Sequence, residues 1–484
     1  MKSYLKDFWH RPAGAHEVLA LAIPLVISMS SWTLMHFIDR LFLLWYSERS
    51  MAAALPAGML SFAVESFFLG IAMYVNTFVA QYYGADRPER IGLAMWQGVW
   101  LALISLPLML LMIPAAPFAF AWIGHEPDIQ REEVMYFQVL AFGGGAMVIS
   151  AATSAFFTGR GKVKIVAIVD TFAALTNIVL DYLWIFGKGG FPEWGIAGAA
   201  WATVVALWVK TLIYLALVFQ QKYREKYGIV SGMRFDRELF TRLVNYGFPS
   251  GAQMLLEVGA FTGFIMMVGK LGQRELAATS LAFNVNTVAF IPMMGVGVAV
   301  ATLVGQRLGE NRSDLATRGT WTAFWLASVY MGLMAFLYFF TPQLFLLPHT
   351  AGASAEQLHE IEQLRDLVFI LLRFVALYCF FDMMNAVFVG ALKGAGDTRF
   401  ILFTTLFSAS IPVIVTWFGL RQGGGLYFCW IVITCWVSGL GLIYFSRFLQ
   451  GKWRNIRVIE TEFQRAEGDH EIQHETLAAA VGEE

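Results

Sequence analysis

Long apolar runs recur along the whole chain, each separated from the next by a short polar break. Each run is long enough to cross the roughly 30 Å hydrocarbon core of a bilayer as a helix. The runs contain glycine and proline and lack the ten-residue alternation of barrel strands. The pattern therefore predicts an all-α integral membrane protein with twelve transmembrane helices. We place them at 18–46, 51–82, 92–120, 134–158, 163–187, 195–220, 243–269, 276–304, 318–347, 366–392, 400–420 and 426–449.

The composition agrees with a chain that lies mostly in lipid. Of its 484 residues, 58% are hydrophobic and 14% are charged, and the mean hydropathy is +0.60. A soluble chain carries about 25% charged residues. The three cysteines, Cys379, Cys429 and Cys435, all lie in apolar runs, which argues against a disulfide framework and against a metal-binding spacing.

Positive charge is distributed unevenly between the polar breaks. Most of the 34 Lys and Arg residues fall in the breaks on one side, including the stretch 221–242. Because cytoplasmic loops are enriched in Lys and Arg, both termini are predicted to be cytoplasmic. The chain then has a cytoplasmic N-terminal segment at 1–17, a basic linker at 221–242 and a cytoplasmic tail at 451–484, whose charged composition predicts disorder.

The two halves of the chain resemble each other. Pro24 in LAIPLVIS matches Pro249 in YGFPSGAQ, 225 positions later, and the same shift relates AQYYGADRPER to GQRLGENRSDL. We therefore predict two six-helix repeats, at 18–220 and 243–450. Six is an even number, so the repeats enter the membrane from the same side and are parallel. Two such bundles can enclose a central cavity that opens alternately to either side of the membrane.

Six acidic residues lie inside the apolar runs. A charge in hydrocarbon costs at least about 2.5–3.5 kcal/mol on insertion scales, so such residues usually mark an ion or substrate path. The sequence contains no phosphate-binding loop, so an ion gradient is the expected energy source. The six residues are Asp39, Glu65, Asp170, Asp181, Glu257 and Asp382.

Five motifs occur in order along the two halves: FIDRLFL, VAQYYGADRPERIG, NIVLDYLWIFG, VGQRLGENRSDLA and ALKGAGDTR. As an ordered set they resemble the motifs of multidrug and toxic compound extrusion (MATE) transporters, in particular the NorM-like members. The resemblance implies two V-shaped lobes in a bacterial inner membrane that export small organic, cationic and amphiphilic compounds in exchange for Na⁺ or H⁺. It also implies a monomer that is not an enzyme, with no cofactor beyond the coupling ion and no nucleic-acid partner.

The resemblance implies a cation site in the amino-terminal half. The family's motif positions fall on Asp39, Asn177, Asp181 and Thr203, and an asparagine expected on the fourth helix is Ser154 here. Asn177 and Asp181 are four positions apart and share a helix face, although a helix-packing hydrogen bond would have the same spacing. Two desolvated carboxylates disfavour joint ionisation, so we expect Asp39 and Asp181 to share a proton.

A second cation site is implied in the carboxy-terminal half, at Glu257, Tyr378 and Asp382, a set that resembles the sodium site of NorM-like members. Carboxylate and phenol oxygens suit a hard cation such as Na⁺. In the alternative interpretation Asp382 pairs with Arg373, but nine residues correspond to about 13 Å along a helix. We therefore expect Glu257 and Asp382 to hold the coupling ion.

Four further residues are candidates for lining the substrate cavity, because of their positions along the helices. His36 is either a neutral packed side chain or a proton sensor beside Asp39, since histidine titrates near physiological pH. Glu65 either lines the cavity or neutralises Arg40. Aromatic side chains could contact varied ligands. The four candidates are Trp32, His36, Glu65 and Phe261.

Three other functions fit the sequence less well. A lipid-linked oligosaccharide flippase, the main alternative, would need a basic cavity, yet Arg40, Lys210 and Arg373 are the only basic residues placed within the membrane, away from the helix ends. A membrane-embedded enzyme would need a nucleophile–base pair or a metal cluster, and His36 is the only histidine well inside a helix. A channel would be expected to show a filter-like loop, and none is evident.

Overall fold

The computed structural model describes residues 8–123, 125–350 and 355–460. Across these ranges it contains helices and no strands, and twelve helices are long and apolar enough to cross a membrane, which confirms the predicted fold class. We number them in chain order. They are α1 (Ala15–Tyr46), α2 (Glu48–Gly84), α3 (Pro88–Leu110), α4 (Pro127–Thr158), α5 (Val163–Ile185), α6 (Ile196–Val218), α7 (Arg237–Gly269), α8 (Gln273–Gly309), α9 (Ser313–Phe340), α10 (Glu362–Ala395), α11 (Thr398–Arg421) and α12 (Leu426–Leu449).

Two helix boundaries differ from the prediction for local reasons. The run at 92–120 is not one helix: α3 ends at Leu110, shortly after an internal proline, and a separate short helix covers Met112–Ile123. Helix α7 begins at Arg237 instead of at 243. The Asp236 side chain caps it there by accepting a hydrogen bond from the Leu239 amide at 2.9 Å.

The chain after α12 also differs from the prediction. We expected disorder throughout 451–484, but residues 451–460 are folded. Lys452–Asn455 forms a 3₁₀-helix, and the side chains of Trp453 and Val458 are fully buried. The rest of the predicted tail, 461–484, lies outside the described residues, as does 1–7 of the predicted N-terminal segment.

Backbone geometry repeats between the two halves. Asp86 (φ 53°) follows α2, and Asn311 (φ 56°) occupies the same place after α8, 225 positions later. Non-glycine residues seldom adopt this left-handed conformation, which Asp and Asn tolerate better than most. Gly161 (φ 73°) and Gly396 (φ 110°) form a second such pair, after α4 and α10. The lobes α1–α6 and α7–α12 therefore share their turns as well as their helices.

Two repeat-related glutamines join the lobes. Gln81, near the end of α2, donates through Nε2 to the backbone oxygen of Gly394 at the end of α10 (3.0 Å). Gln306, near the end of α8, donates to the backbone oxygen of Gly159 after α4 (2.7 Å). The last carbonyls of a helix have no partner within it, and each lobe satisfies a free carbonyl of the other. These contacts lie at the membrane face where α1 begins and α12 ends, which we call the terminal face.

Glycine permits the close approach at this junction. A Cβ atom on Gly84 would lie 1.9 Å from the Gln306 backbone oxygen, and one on Gly309 would lie 2.2 Å from the Gln81 backbone oxygen. Close backbone approach of this kind is typical of helix packing in membranes. Throughout the described chain, the hydrogen bonds that connect the lobes lie in the half of the protein near the terminal face. The structure is therefore closed at that face.

Adding a methyl group at either glycine should open the junction. We expect Gly84→Ala and Gly309→Ala each to disfavour the closed state by about 1–3 kcal/mol, because the new Cβ would overlap a backbone oxygen. Spin labels on the two lobes at the terminal face would report the separation by pulsed electron resonance. Gly58→Ala is the matched control, since nothing lies within 4 Å of its Cβ position. Equal distance distributions in all three variants would contradict this account of the junction.

Candidate ion sites and a partly buried ion pair

The amino-terminal lobe gathers the predicted polar residues of α1, α5 and α6 in one buried cluster. The orientation of the Asn177 amide that satisfies both of its ends has Nδ2 donating to Asp181 Oδ2 at 2.9 Å. Its oxygen then accepts from the Thr203 amide at 3.2 Å. Tyr136 on α4, which the sequence did not single out, donates to Asp39 Oδ2 at 3.4 Å. We call these five residues the amino-lobe site.

Two carboxylate oxygens of the amino-lobe site lack a partner. Oδ1 of Asp39 and Oδ1 of Asp181 are both buried without a hydrogen bond in the described part of the protein. The charges of the two carboxylates also repel each other. An unpaired buried polar atom is costly, and a buried charge more so. A proton or a small cation would satisfy both oxygens, so the residues present fit the expected cation.

The expected helix-four ligand does not join this site. Ser154 donates to the backbone oxygen of Ala151 in its own helix at 3.0 Å. It therefore uses its only proton one turn away. The ligands available in the amino-lobe site are carboxylate, amide and hydroxyl groups of the other four predicted positions and Tyr136.

The carboxy-terminal lobe brings Glu257 on α7 near Asp382 on α10, close enough for their charges to interact. The charge of Asp382 also acts on the buried hydroxyl of Tyr378, but no hydrogen bond joins these two residues. Gln253 donates to Glu257 Oε1 at 2.8 Å, and the charge of Lys393 acts on Glu257. We call these five residues the carboxy-lobe site.

The alternative partner of Asp382 lies elsewhere. The Arg373 guanidinium stands over the ring of Phe339, 5.6 Å from its centroid, and makes no ion pair with Asp382. Lys393 and Gln253 were both missed from the sequence. Lys393 lies just outside the predicted run at 366–392, although α10 continues to Ala395. Gln253 lies one helical turn before Glu257, a spacing that could have revealed it.

Asp170 belongs to a partly buried ion pair that the sequence did not predict. Lys210 Nζ on α6 lies 2.9 Å from Asp170 Oδ1 on α5, and the Tyr214 hydroxyl donates to the same oxygen at 2.8 Å. The Ser28 hydroxyl donates to Oδ2. Asp170 is eleven positions before Asp181, so the two share a face of α5 about 16 Å apart along its axis. The amino-terminal lobe therefore has a second polar layer, nearer the terminal face, whose charges balance.

The four cavity candidates have different environments. Trp32 and His36 pack edge to face with ring centroids 4.6 Å apart, which favours the packed interpretation of His36. Glu65 accepts a hydrogen bond from Ser61 at 3.0 Å and forms no ion pair with Arg40 in the described chain. Phe261 packs against Phe283 with centroids 5.0 Å apart and stays 40% exposed. None of these contacts tests whether the residues bind a substrate.

The described ranges contain no group of three or more His, Cys, Asp or Glu side chains that could hold a metal ion. This finding does not bear on a cation bound by the two-carboxylate sites, where amide and hydroxyl oxygens would supply the other ligands.

Twelve helices in two parallel repeats, with buried carboxylates in each repeat, define the architecture of a membrane transporter. The MatE family model matches residues 24–183 and 249–418, more than half of the chain. The chain therefore belongs to the MatE family. The two matched segments start 225 positions apart, the same shift that relates the repeats in the sequence.

Curated relatives match over most of their length. The chain is 26% identical over 465 residues to a "Probable multidrug resistance protein NorM" of Thermotoga maritima, covering 93% of this chain and 96% of that protein. It is 26% identical over 391 residues to "Multidrug resistance protein NorM" of Photobacterium profundum, covering 80% and 84%.

Solved structures share the fold. One described as an outward-facing conformation of a multidrug resistance MATE family transporter has a TM-score of 0.80 at 19% identity, with 91% of this chain and 96% of that chain covered. A eukaryotic MATE transporter has a TM-score of 0.79 at 18% identity, with 91% and 96% covered. The fold is thus that of MATE transporters.

Removing one partner of the partly buried ion pair should destabilise the protein. Lys210→Met leaves the Asp170 carboxylate with hydroxyl donors alone, and we expect a loss of about 1–3 kcal/mol, because both side chains keep some contact with solvent. Lys210→Met combined with Asp170→Asn should recover most of it, because no unpaired charge remains. Thermal unfolding in detergent would measure both.

The exposed pair of Arg312 and Asp314, 3.2 Å apart, provides the control. Arg312→Met should leave the midpoint of thermal unfolding nearly unchanged, as for other surface ion pairs. If the Lys210 variant and the double variant lost the same stability, the ion pair would not be the reason for it.

Proposed function

We propose that the protein is a multidrug exporter that exchanges small organic, cationic and amphiphilic compounds for Na⁺ or H⁺. The observation that carries the proposal is the pair of buried carboxylate oxygens without partners, on Asp39 and Asp181. Such oxygens need a proton or a cation to be stable away from water. Family membership and the multidrug resistance proteins among the relatives support export as the direction of transport.

In the mechanism we propose, the two lobes alternate between a state that is closed at the terminal face and a state that is open there. With the terminal face closed, the cavity opens to the other side, and a coupling ion can reach the carboxylates. Neutralising them removes the charge that attracts a cationic substrate, and the substrate leaves. The lobes then separate at the terminal face, the ion dissociates inward, and a new substrate enters. Each step follows from competition between two cations for one set of acidic groups.

The distribution of charge supports a cytoplasmic terminal face. The loops on that face hold most of the Lys and Arg residues, and positively charged loops stay on the cytoplasmic side. Substrate would then be collected from the cytoplasm and released outside. This is the direction expected of an exporter in a bacterial inner membrane.

Reporter fusions test this orientation. A fusion after Arg224, between α6 and α7, should report a cytoplasmic location, and a fusion after Lys188, between α5 and α6, should report an external one. Alkaline phosphatase and green fluorescent protein give opposite signals at each site. The same location for both fusions would refute the proposed topology.

Transport by purified protein in liposomes tests the function. An imposed Na⁺ or H⁺ gradient should drive uptake of a fluorescent organic cation into vesicles in which the terminal face of the protein points outward. We expect Asp181→Asn, Glu257→Gln and Asp382→Asn each to reduce gradient-driven transport severely, because each removes a carboxylate that the ion and the substrate share.

Asp314→Asn, a loss of charge at a carboxylate that is 58% exposed, is the control and should transport normally. Thermal stability and insertion should be measured for all four variants. Normal transport by all three site variants would refute coupling through these carboxylates. Transport that responds to one gradient and not the other would identify the ion.

A further inference from the structure

The chain beyond α12 crosses from one lobe to the other. Trp453 packs flat against Phe448 at the end of α12, with ring centroids 5.0 Å apart, and donates to its backbone oxygen at 2.9 Å. This anchors the segment on the carboxy-terminal lobe. Residues 456–460, which we call the strap, then run onto the amino-terminal lobe. The Val458 amide donates to Gln81 Oε1 at 2.9 Å.

The strap is packed as tightly as the protein core. Val458 is fully buried and Ile459 nearly so, in a cluster that includes Phe78 of the amino-terminal lobe and Leu243 of α7. Val458 also lies against Gly396, where an added Cβ would be 2.8 Å from a valine methyl group. Gln81 thus binds the strap through its oxygen and the end of α10 through its nitrogen.

The strap ends with a carboxylate in a basic pocket. The Tyr82 hydroxyl donates to Glu460 at 2.9 Å, and Arg87 Nη1 donates to it at 3.1 Å. Arg242 Nη1 lies 3.5 Å and Arg90 Nη2 lies 3.8 Å from the same carboxylate. The Glu460 side chain is only 11% exposed. Three arginines therefore surround one carboxylate in a largely water-excluded position.

The pocket draws its members from both lobes. Tyr82, Arg87 and Arg90 belong to the end of α2 and the start of α3, whereas Arg242 is on α7 and Glu460 is tethered to α12. Separation of the lobes at the terminal face would take the members apart. The complete pocket exists only while that face is closed.

The corresponding segment of the first repeat behaves differently. After α6, the chain stays on its own lobe. The Gly92 amide donates to the backbone oxygen of Tyr227 at 3.0 Å, and the Trp96 indole donates to the backbone oxygen of Ile229 at 2.9 Å. Duplication alone would have produced the same arrangement after α12. The strap instead bridges the junction, which marks it as a feature of the closed state and not an inherited turn.

We propose that Tyr82, Arg87, Arg90 and Arg242 form an anion-binding site at the junction of the lobes, with Glu460 as its built-in ligand, and that filling this site holds the terminal face closed. The site would also accept a phosphate group, because arginine binds phosphate and carboxylate with the same geometry. The consequence for transport rests on the proposed alternation of the lobes, but the site itself does not.

Glu460 is charged at physiological pH. Burial acts to raise its pKa, but its backbone amide, Arg90, the Tyr82 hydroxyl and Arg242 outweigh burial and leave the pKa below its usual range. A carboxylate whose folded-state pKa is depressed stabilises the fold at pH values above its ordinary pKa. This stabilisation is lost only as the pH falls through the depressed pKa. The strap is therefore held at neutral pH, and separation of the lobes, not protonation, would release it.

The test measures the distance between the lobes without substrate or ion gradient, so its outcome is independent of transport. Spin labels on opposite lobes at the terminal face would be read in phosphatidylcholine nanodiscs. Glu460→Gln should increase the separated population about tenfold, since charge-assisted hydrogen bonds are lost. Arg87→Gln, which removes the 3.1 Å contact from the amino-terminal lobe, should change it in the same direction.

Glu238→Gln is the matched control. Glu238 also contacts Arg242, at 3.6 Å, but its side chain is 79% exposed. Its loss should leave the distance distribution unchanged. If Glu460→Gln and Arg87→Gln both behaved like this control, the proposal would be overturned.

Rescue by a free anion tests the binding site directly. Glu460→Ala should open the junction, and inorganic phosphate should close it again in phosphatidylcholine nanodiscs, with chloride at equal ionic strength as the comparison. Closure by phosphatidylglycerol nanodiscs without added phosphate would identify a lipid headgroup as a second source of the anion. If neither phosphate nor the anionic lipid closed the junction, the four residues would not form an anion site.

Discussion

A bilayer offers polar groups no water, so each must find a partner inside the protein. This constraint explains the helices, and it also explains where the lobes meet. A helix leaves its last carbonyls unsatisfied, and here the free carbonyl of Gly394 accepts from Gln81 while that of Gly159 accepts from Gln306. The lobes are therefore joined through backbone carbonyls at helix ends, which have no hydrogen-bond partner within their own helix. Glycine at positions 84 and 309 brings the backbones close enough for these bonds to form.

A junction of this kind can both form and open. Neutral hydrogen bonds contribute about 0.5–1.5 kcal/mol each, and the glutamines of the separated lobes would meet water at the membrane surface. The balance between closed and open states is then small enough for a few added interactions to decide it. The charged contacts of Glu460 are interactions of this size. In the proposed mechanism, the buried carboxylates respond to ions, and the junction at the terminal face sets the resting state.

Helix number, duplication and the pairing of Asn177 with Asp181 could be predicted, because each depends on spacing along one helix or on similarity between segments. The ion pair of Asp170 with Lys210 could not, since it joins different helices and nothing in the sequence fixes their rotation. The strap was missed for another reason. It lies next to a charged tail, and composition averaged over 451–484 conceals the apolar Val458 and Ile459. The ion-site residues carried over from the family resemblance do lie in two clusters, but their binding of an ion stays a prediction.

The two lobes each combine two buried carboxylates with one cation, but the cation comes from a different helix in each lobe. In the amino-lobe site the charge of Arg40 on α1 acts on Asp39, whereas neutral donors and a second carboxylate surround Asp181. In the carboxy-lobe site the charge of Lys393 on α10 acts on Glu257, whereas Asp382 has the second carboxylate as its charged neighbour. One cation cannot neutralise two carboxylates. In each site the carboxylate on which no cation of the described chain acts, Asp181 or Asp382, therefore has the stronger demand for an external proton or metal cation.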